Sequence, residues 1–247
     1  MREPLAASTI LAASLIWVAA LIVDPTPLGS VAASLLSVGL LANSTVSMVG
    51  MIASGGRWAH RLGFGVTAVT IAIALLRPLD PVWGVGLAAT VVAILAMASP
   101  TLTRTIRQLP SATGPSPRVV AVPLLTLGAP CLLGLTGADA TPWALLLVGL
   151  TGPVAAFMYS RVVPGGLLAI RVVWPVLALA ASPLLGPLCA IVSICLALAV
   201  GALAWHPSVK TSYHPPVEKG STFPIPPELV PGEILDAADI DESGRPL

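Results

Sequence analysis

Residues 5–23 read LAASTILAASLIWVAALIV, and this run decides the fold class. It carries no charged side chain, and its length matches the about 20 apolar residues that a helix needs to cross a bilayer. Arg2 is the only positive side chain before it, and no convincing small-x-small cleavage site precedes Asp24. Because the run is also longer than the apolar core of a typical secretory signal peptide, we expect it to be retained as a first membrane span.

The composition of the whole chain extends this expectation. Of the 247 residues, 56% are hydrophobic and 9% are charged, whereas soluble domains carry roughly 25% charged residues. Too few polar side chains are present to cover a surface that faces water. We therefore predict an all-α integral membrane protein of the cell membrane, in direct contact with the lipid bilayer.

Turn residues divide the apolar sequence into eight segments, which predict about eight transmembrane helices arranged as four helical hairpins. The predicted spans are residues 5–23, 28–54, 62–76, 82–99, 119–136, 142–160, 167–181 and 188–205. In three of the four hairpin turns an Asp precedes a nearby Pro, at Asp24, Asp80 and Asp139. Asp and Pro are ordinary turn formers, but duplication of a two-helix unit would place them in the same way. Both interpretations stay open at this stage.

The charges of the predicted loops indicate an orientation. Arginines follow the even-numbered spans, and the loops after odd-numbered spans carry Asp24, the pair Arg77 with Asp80, Asp139, or no charge. The arginines concerned are Arg57, Arg61, Arg104, Arg107, Arg118 and Arg161. Because positive loops favour the cytoplasm, both termini are predicted to be cytoplasmic. Trp83 and Trp143 then fall at outer ends of spans, and Trp58 and Trp205 at inner ends, as an interfacial aromatic belt predicts.

Residues 206–247 differ in composition from the membrane domain formed by residues 1–205. They hold eight prolines, and seven acidic side chains stand against three basic ones. Prolines favour extended segments, so we expect an acidic, mostly irregular cytoplasmic tail with one short helix near residues 231–240. The tail is either a solvated segment or a docking peptide for a protein partner.

Two groups of residues within the spans are candidates for a pathway or for helix packing. Asn43 and Ser47 lie on one face of span two, one helical turn apart. Thr151, Gly152 and Pro153 lie near the middle of span six, where proline removes a backbone donor and predicts a kink. Small and polar residues let helices pack closely, while broken helices also form substrate sites in transporters.

The only charge within the predicted spans is Arg171, near the start of span seven. Its side chain is long enough to reach the headgroup region, and Trp174 lies three positions later on nearly the same face. We expect Arg171 to be an interfacial anchor, with Trp174 as its interfacial or cation–π neighbour. A functional charge within the membrane is the alternative.

The sequence contains none of the catalytic, metal-binding or phosphate-binding motifs that predict an enzyme. Its arginines are scattered rather than clustered, so no nucleic-acid surface is indicated. We therefore predict no enzyme activity and no cofactor. The expected function is that of an accessory, scaffold or assembly component which acts through partners, for example through the tail. A small-solute or lipid transporter using spans two and six is the alternative.

Overall fold

The structure is a computed structural model of the chain, and it describes residues 3–54, 57–76, 81–99 and 117–209. The chain divides into a unit of residues 1–213 and a unit of residues 214–247, and all described residues belong to the first. The predicted helix near residues 231–240 lies outside the described residues, as do Asp80, Arg104 and Arg107.

All regular structure in the described ranges is helical. The helices are α1 (Glu3–Val23), α2 (Ser30–Ser54), α3 (Arg57–Ala74), α4 (Pro81–Met97), α5 (Pro117–Thr136), α6 (Pro142–Ser160), α7 (Gly166–Leu184) and α8 (Pro187–Ala204). A proline opens α4, α5, α6 and α8, since its missing N–H has no partner at the start of a helix in any case. The turns before α2 and α8 use Gly29 and Gly186 at positive φ, a conformation that costs glycine little.

Six helices in the described ranges are long and apolar enough to cross a membrane, and α3 and α4 are the two that fall short. Only 17 residues form α4. For its part, α3 begins at Arg57, five positions before the predicted span, so Arg57 and Arg61 lie in its first turns. No proline separates Arg57 from the apolar residues that follow, and the helix therefore extends through both arginines. The protein is thus an all-helical chain with six candidate membrane-spanning helices.

The helices pack in the same order in the first and second halves of the described chain. In the half formed by α1–α4, α1 packs against α2 and α4, and α3 also packs against α2 and α4. In the half formed by α5–α8, the same pairs of helices are in contact. The main contact between the halves joins α2 to α5. The packing therefore consists of two four-helix units that meet along one seam.

The two halves also share a sequence signature at a constant spacing of 110 positions. LLSVGL at residues 35–40 is matched by LLLVGL at residues 145–150, and GGRWAHR at residues 55–61 is matched by GGLLAIR at residues 165–171. The match aligns α2 with α6 and the start of α3 with the start of α7. The repeat that packing and sequence support is therefore four helices long, instead of the two-helix hairpin considered above.

Contacts between helix ends place every arginine of the described ranges at one end of the bundle. His60 near the start of α3 lies against the Met97 carbonyl at the end of α4, with 3.1 Å between nitrogen and oxygen. Arg118 at the start of α5 hydrogen bonds to His206 just after α8. At the opposite end, the Thr141 N–H donates to the Leu184 carbonyl. Asp24 and Asp139 belong to turns at that opposite end. We call the first end the arginine end.

A tryptophan pair holds α1 against α4 in the first half. Trp17 and Trp83 meet edge to face at 5.5 Å between ring centroids, and the Trp17 indole N–H donates to Thr90 Oγ1 at 2.9 Å. Trp83 lies at the start of α4, and its ring is buried against Trp17 instead of being exposed on the outer surface of the bundle. Trp143 and Trp205 are exposed, with 59% and 63% of their surface accessible.

Candidate functional site

Asn43 lies in the seam between the two halves. Its Nδ2 atom donates to the Gly39 carbonyl of its own helix at 2.8 Å and to the Leu127 carbonyl of α5 at 2.9 Å. The side chain is 2% exposed. The amide nitrogen of Asn43 thus bonds to one carbonyl of its own helix and to one carbonyl of α5, and so links the two helices.

Ser47 continues the polar face of α2 and makes a second link. Its hydroxyl donates to the Ala59 carbonyl of α3 at 2.8 Å. Glycines on the same face allow the neighbouring helices to approach, since a Cβ atom on Gly39 would lie 2.7 Å from Cys131 Sγ and one on Gly50 would lie 2.5 Å from the Trp58 ring. This face of α2 was predicted either to line a pathway or to pack against other helices, and these contacts support helix packing.

The candidate residues of α6 have separate surroundings. A Cβ atom on Gly152 would lie 2.6 Å from the Thr126 carbonyl oxygen, so this glycine sets the distance between α5 and α6. The Thr151 hydroxyl donates back to the Leu147 carbonyl at 2.6 Å. Pro153 lies within the helix, which is assigned without interruption from Pro142 to Ser160, and its ring faces a cleft described below. Among the described residues, no side-chain hydrogen bond joins these three residues to Asn43 or Ser47.

Arg171 caps the last turn of α8. Its Nε atom donates to the Ala204 carbonyl at 2.8 Å, and its guanidinium carbon lies 5.0 Å from the centroid of the Trp205 ring. Carbonyls at the end of a helix lack partners within the helix, so a cationic donor stabilises them. Arg171, the charged residue of α7, therefore stabilises the end of α8 at the arginine end of the bundle.

The expected pairing of Arg171 with Trp174 is wrong. Trp174 is 1% exposed, and its indole N–H donates to the Val148 carbonyl of α6 at 3.1 Å. The two side chains diverge because residues 169–173 form a wide π-helical turn, which changes the angular spacing expected for an α-helix. Pro175 explains this turn, since proline has no N–H to bond to the carbonyl of Arg171 and its ring needs room there.

A cleft of about 440 Å³ lies between α2, α3, α5 and α6 at the arginine end. Its walls are almost wholly apolar and include Pro123 of α5 and Pro153 of α6. Trp58 of α3 forms part of one wall and Phe157 of α6 part of another. Sequence reasoning missed this site because it depends on four helices from both halves. The one available signal was the pair of prolines, Pro123 and Pro153, which lie inside two neighbouring helices and line the cleft.

One arginine has a printed position at the margin of the cleft. The guanidinium carbon of Arg161 lies 5.9 Å from the centroid of the ring of Phe157, a lining residue. The Arg161 side chain is exposed. Arg57 and Arg118 are adjacent in sequence to the lining residues Trp58 and Val119. The site thus combines an apolar interior with the positive charge of Arg161 at its margin.

The described part of the chain holds no group of three or more His, Cys, Asp or Glu side chains placed to bind a metal ion. Cys131 and Cys189 are buried, and Cys195 is exposed. No disulfide joins them. The chemistry available at the cleft is therefore apolar contact together with positive charge.

The chain matches no protein-family model, and searches of the curated proteins and of the solved structures find no similar protein.

Proposed function

We propose that this protein is a non-catalytic component of the cell membrane that acts through a protein partner, as an accessory subunit, a scaffold or an assembly factor. The observation that supports this proposal is the use of the polar core residues. Asn43, Ser47 and Trp174 each bond to a backbone carbonyl of a neighbouring helix. A polar route across the bilayer would need such groups to face water or a solute, and here they hold helices together.

The proposed topology has eight crossings in four hairpins, with the arginine end and both termini in the cytoplasm. The packing of the short helix α4 supports this arrangement. Trp17 of α1 bonds to Thr90 of α4, so α4 packs alongside a helix that is long enough to span the membrane. Its 17 residues reach about 25 Å at about 1.5 Å per residue. A bilayer core of about 30 Å accommodates that difference by local thinning.

The proposed partner binds through the acidic tail, residues 206–247. A proline-rich segment is already extended, so it loses less conformational freedom on binding than an average chain. Its net negative charge gives it a preference for a basic surface. This part of the proposal is the one that a truncation tests.

A transporter of an apolar solute or of lipid remains the second proposal, and the cleft between the halves favours it. Unlike the polar face of α2, the cleft is lined by residues of both four-helix units. A relative movement of the units would change its access, as in transporters built from repeats.

Native mass spectrometry of the protein extracted in mild detergent separates the two proposals. We expect a protein partner at fixed stoichiometry, which is lost when the chain is truncated after residue 209. The matched control is a full-length chain whose tail keeps its acidic residues but has its amino-acid sequence scrambled. A monomer without a protein partner, together with solute or lipid uptake by reconstituted vesicles, would support the transporter and contradict the adaptor.

A further inference from the structure

We propose that the cleft between α2, α3, α5 and α6 binds one anionic phospholipid from the leaflet at the arginine end. An acyl chain occupies the cleft, and the phosphate lies at the guanidinium group of Arg161. This inference goes beyond the proposed partner function, because lipid binding at this site requires neither the tail nor a protein partner.

The interior of the cleft fits an acyl chain. Its volume of about 440 Å³ lies in the usual range for sites of small ligands. The walls offer Leu124, Leu127, Ala156 and the rings of two prolines, and few hydrogen-bonding groups. A peptide or a polar solute would have to leave its own polar groups unpaired here, which costs free energy. An alkyl chain has no such groups.

The cleft also reaches the surface that faces lipid. Phe157 and Val162 form part of its lining, and they are 60% and 59% exposed. Both lie at the end of α6 or just after it. A chain of a neighbouring phospholipid can therefore enter from the side without crossing the headgroup region.

The positive charge at the margin of the cleft selects a negative headgroup. Arg161 packs over the Phe157 ring, which holds its guanidinium beside the apolar interior, whereas Arg118 is used in its hydrogen bond to His206. Apart from Glu3 at the start of α1, the described acidic residues lie at the opposite end of the bundle, in the turns that contain Asp24 and Asp139. Basic pockets between helices on the cytoplasmic side bind anionic headgroups, and arginine binds phosphate through two parallel hydrogen bonds.

The test is native mass spectrometry of the delipidated full-length protein, reloaded with dioleoyl phosphatidylglycerol or with dioleoyl phosphatidylcholine at equal concentration. We expect one retained phosphatidylglycerol and about fivefold weaker retention of phosphatidylcholine. Arg161→Gln should reduce phosphatidylglycerol retention by a similar factor, about fivefold, and leave phosphatidylcholine unchanged. Arg171→Gln is the charge-matched control, since its guanidinium bonds to α8 and Arg171 is not among the residues that line the cleft.

A second pair of variants tests the apolar interior. Ala156→Phe fills the cleft and should reduce retention of both lipids, whereas Val154→Phe adds the same ring to the exposed face of the same helix and should reduce neither. Circular dichroism and thermal unfolding establish that both variants fold, and if Ala156→Phe does not, Leu124→Phe replaces it. Equal retention of the two lipids by the native chain would overturn the proposal. So would displacement of the lipid by millimolar inorganic phosphate alone, or unchanged retention in the folded, filled variant.

Discussion

Asn43 shows how one polar side chain can be used inside a membrane bundle. Its amide donates to two carbonyls, one in α2 and one in α5, while its Oδ1 atom has no hydrogen-bond partner among the described residues. Hydrogen bonds between membrane helices stabilise by about 0.6 kcal/mol on average and by about 1.7 kcal/mol at most. The unpaired oxygen offsets part of that gain, so the net contribution of Asn43 to stability is small.

Substitution of Asn43 tests this account of a packing residue. Asn43→Leu should lower the free energy of unfolding by about 1 kcal/mol or less, because leucine has a similar size and leaves no polar atom unpaired. Asn43→Asp should cost about 3 kcal/mol, since a carboxylate would face two carbonyl oxygens within the membrane. Reversible unfolding in mixed detergent micelles measures both, with the exposed Ser34→Ala as control. Equal losses for leucine and aspartate would contradict the account.

Sequence reasoning identified Asn43 and Ser47 and their common face, because helical spacing alone determines that face. It could not identify the partners. Leu127 is 84 positions away from Asn43 in the chain, and the pairing of α2 with α5 follows from how the two halves pack. The same limit explains why Arg171 was paired with the wrong tryptophan: the π-helical turn at Ala169–Val173 depends on Pro175 and on the room available around α7.

Close contact between α5 and α6 depends on single glycines. A Cβ atom on Gly152 would lie 2.6 Å from the Thr126 carbonyl oxygen, a backbone atom that cannot move independently of α5. A Cβ atom on Gly128 of α5 would meet no neighbouring atom within 4 Å, so this position has room for a methyl group. Both glycines lie in the same pair of helices, but Gly152 is closely packed whereas Gly128 has room for a side chain.

Alanine at these two glycines should act in opposite directions. Gly152→Ala should destabilise the bundle by about 1–3 kcal/mol, the usual cost of forced overpacking. Gly128→Ala should be neutral or should stabilise it by up to about 1 kcal/mol, because alanine favours a helix over glycine. Thermal unfolding in one detergent compares them. A stabilised Gly152→Ala protein would show that α5 and α6 are not in close contact.

The start of the third helix in each half fastens the end of the fourth. Arg171 bonds to the Ala204 carbonyl in the second half, and His60 contacts the Met97 carbonyl in the first. Arg61, which corresponds to Arg171 in the sequence repeat, is exposed. Its neighbour His60 makes the corresponding contact in the first half. The two units thus use adjacent positions of the repeat for the same contact.

Removal of the Arg171 side chain should loosen the last turn of α8 and little else. Arg171→Met should raise amide hydrogen exchange at residues 201–206, since the Ala204 carbonyl loses its donor. Arg61→Met is the matched control from the other unit, and it should leave exchange at the end of α4 unchanged. If both variants left residues 201–206 equally protected, Arg171 would not be a helix cap.

At the scale of the whole molecule, the distribution of charge predicts the orientation. The arginines of the described ranges lie at one end, and Asp24 and Asp139 lie in turns at the other. Introduced cysteines in a background without native cysteines test this topology. Pro164→Cys, in the exposed turn after α6, should react with a membrane-impermeant maleimide only in inverted vesicles, and Thr26→Cys and Ala140→Cys only in intact cells. Reaction of Pro164→Cys in intact cells would reverse the proposed orientation.

Composition and hydropathy were sufficient to predict the helical membrane class, because a chain with so few charges cannot cover itself in water. They also located the helices to within a few residues, since prolines and glycines mark most of the boundaries. The start of α3 was missed because arginines were treated as the end of a span, although they are good helix formers. The two-unit packing and the cleft could not be predicted from local pattern, because both depend on contacts between distant helices.

The central claim is that the polar face of α2 forms a dry seam between the two halves and does not line a pathway. Ser47→Cys measures this most directly, in a background without native cysteines and with Thr26→Cys as the accessible control. The account predicts that a hydrophilic maleimide fails to label Ser47→Cys from either side of the membrane and labels it fully after unfolding in SDS. Labelling of the folded protein at a rate close to that of Thr26→Cys would show water along α2 and would contradict the claim.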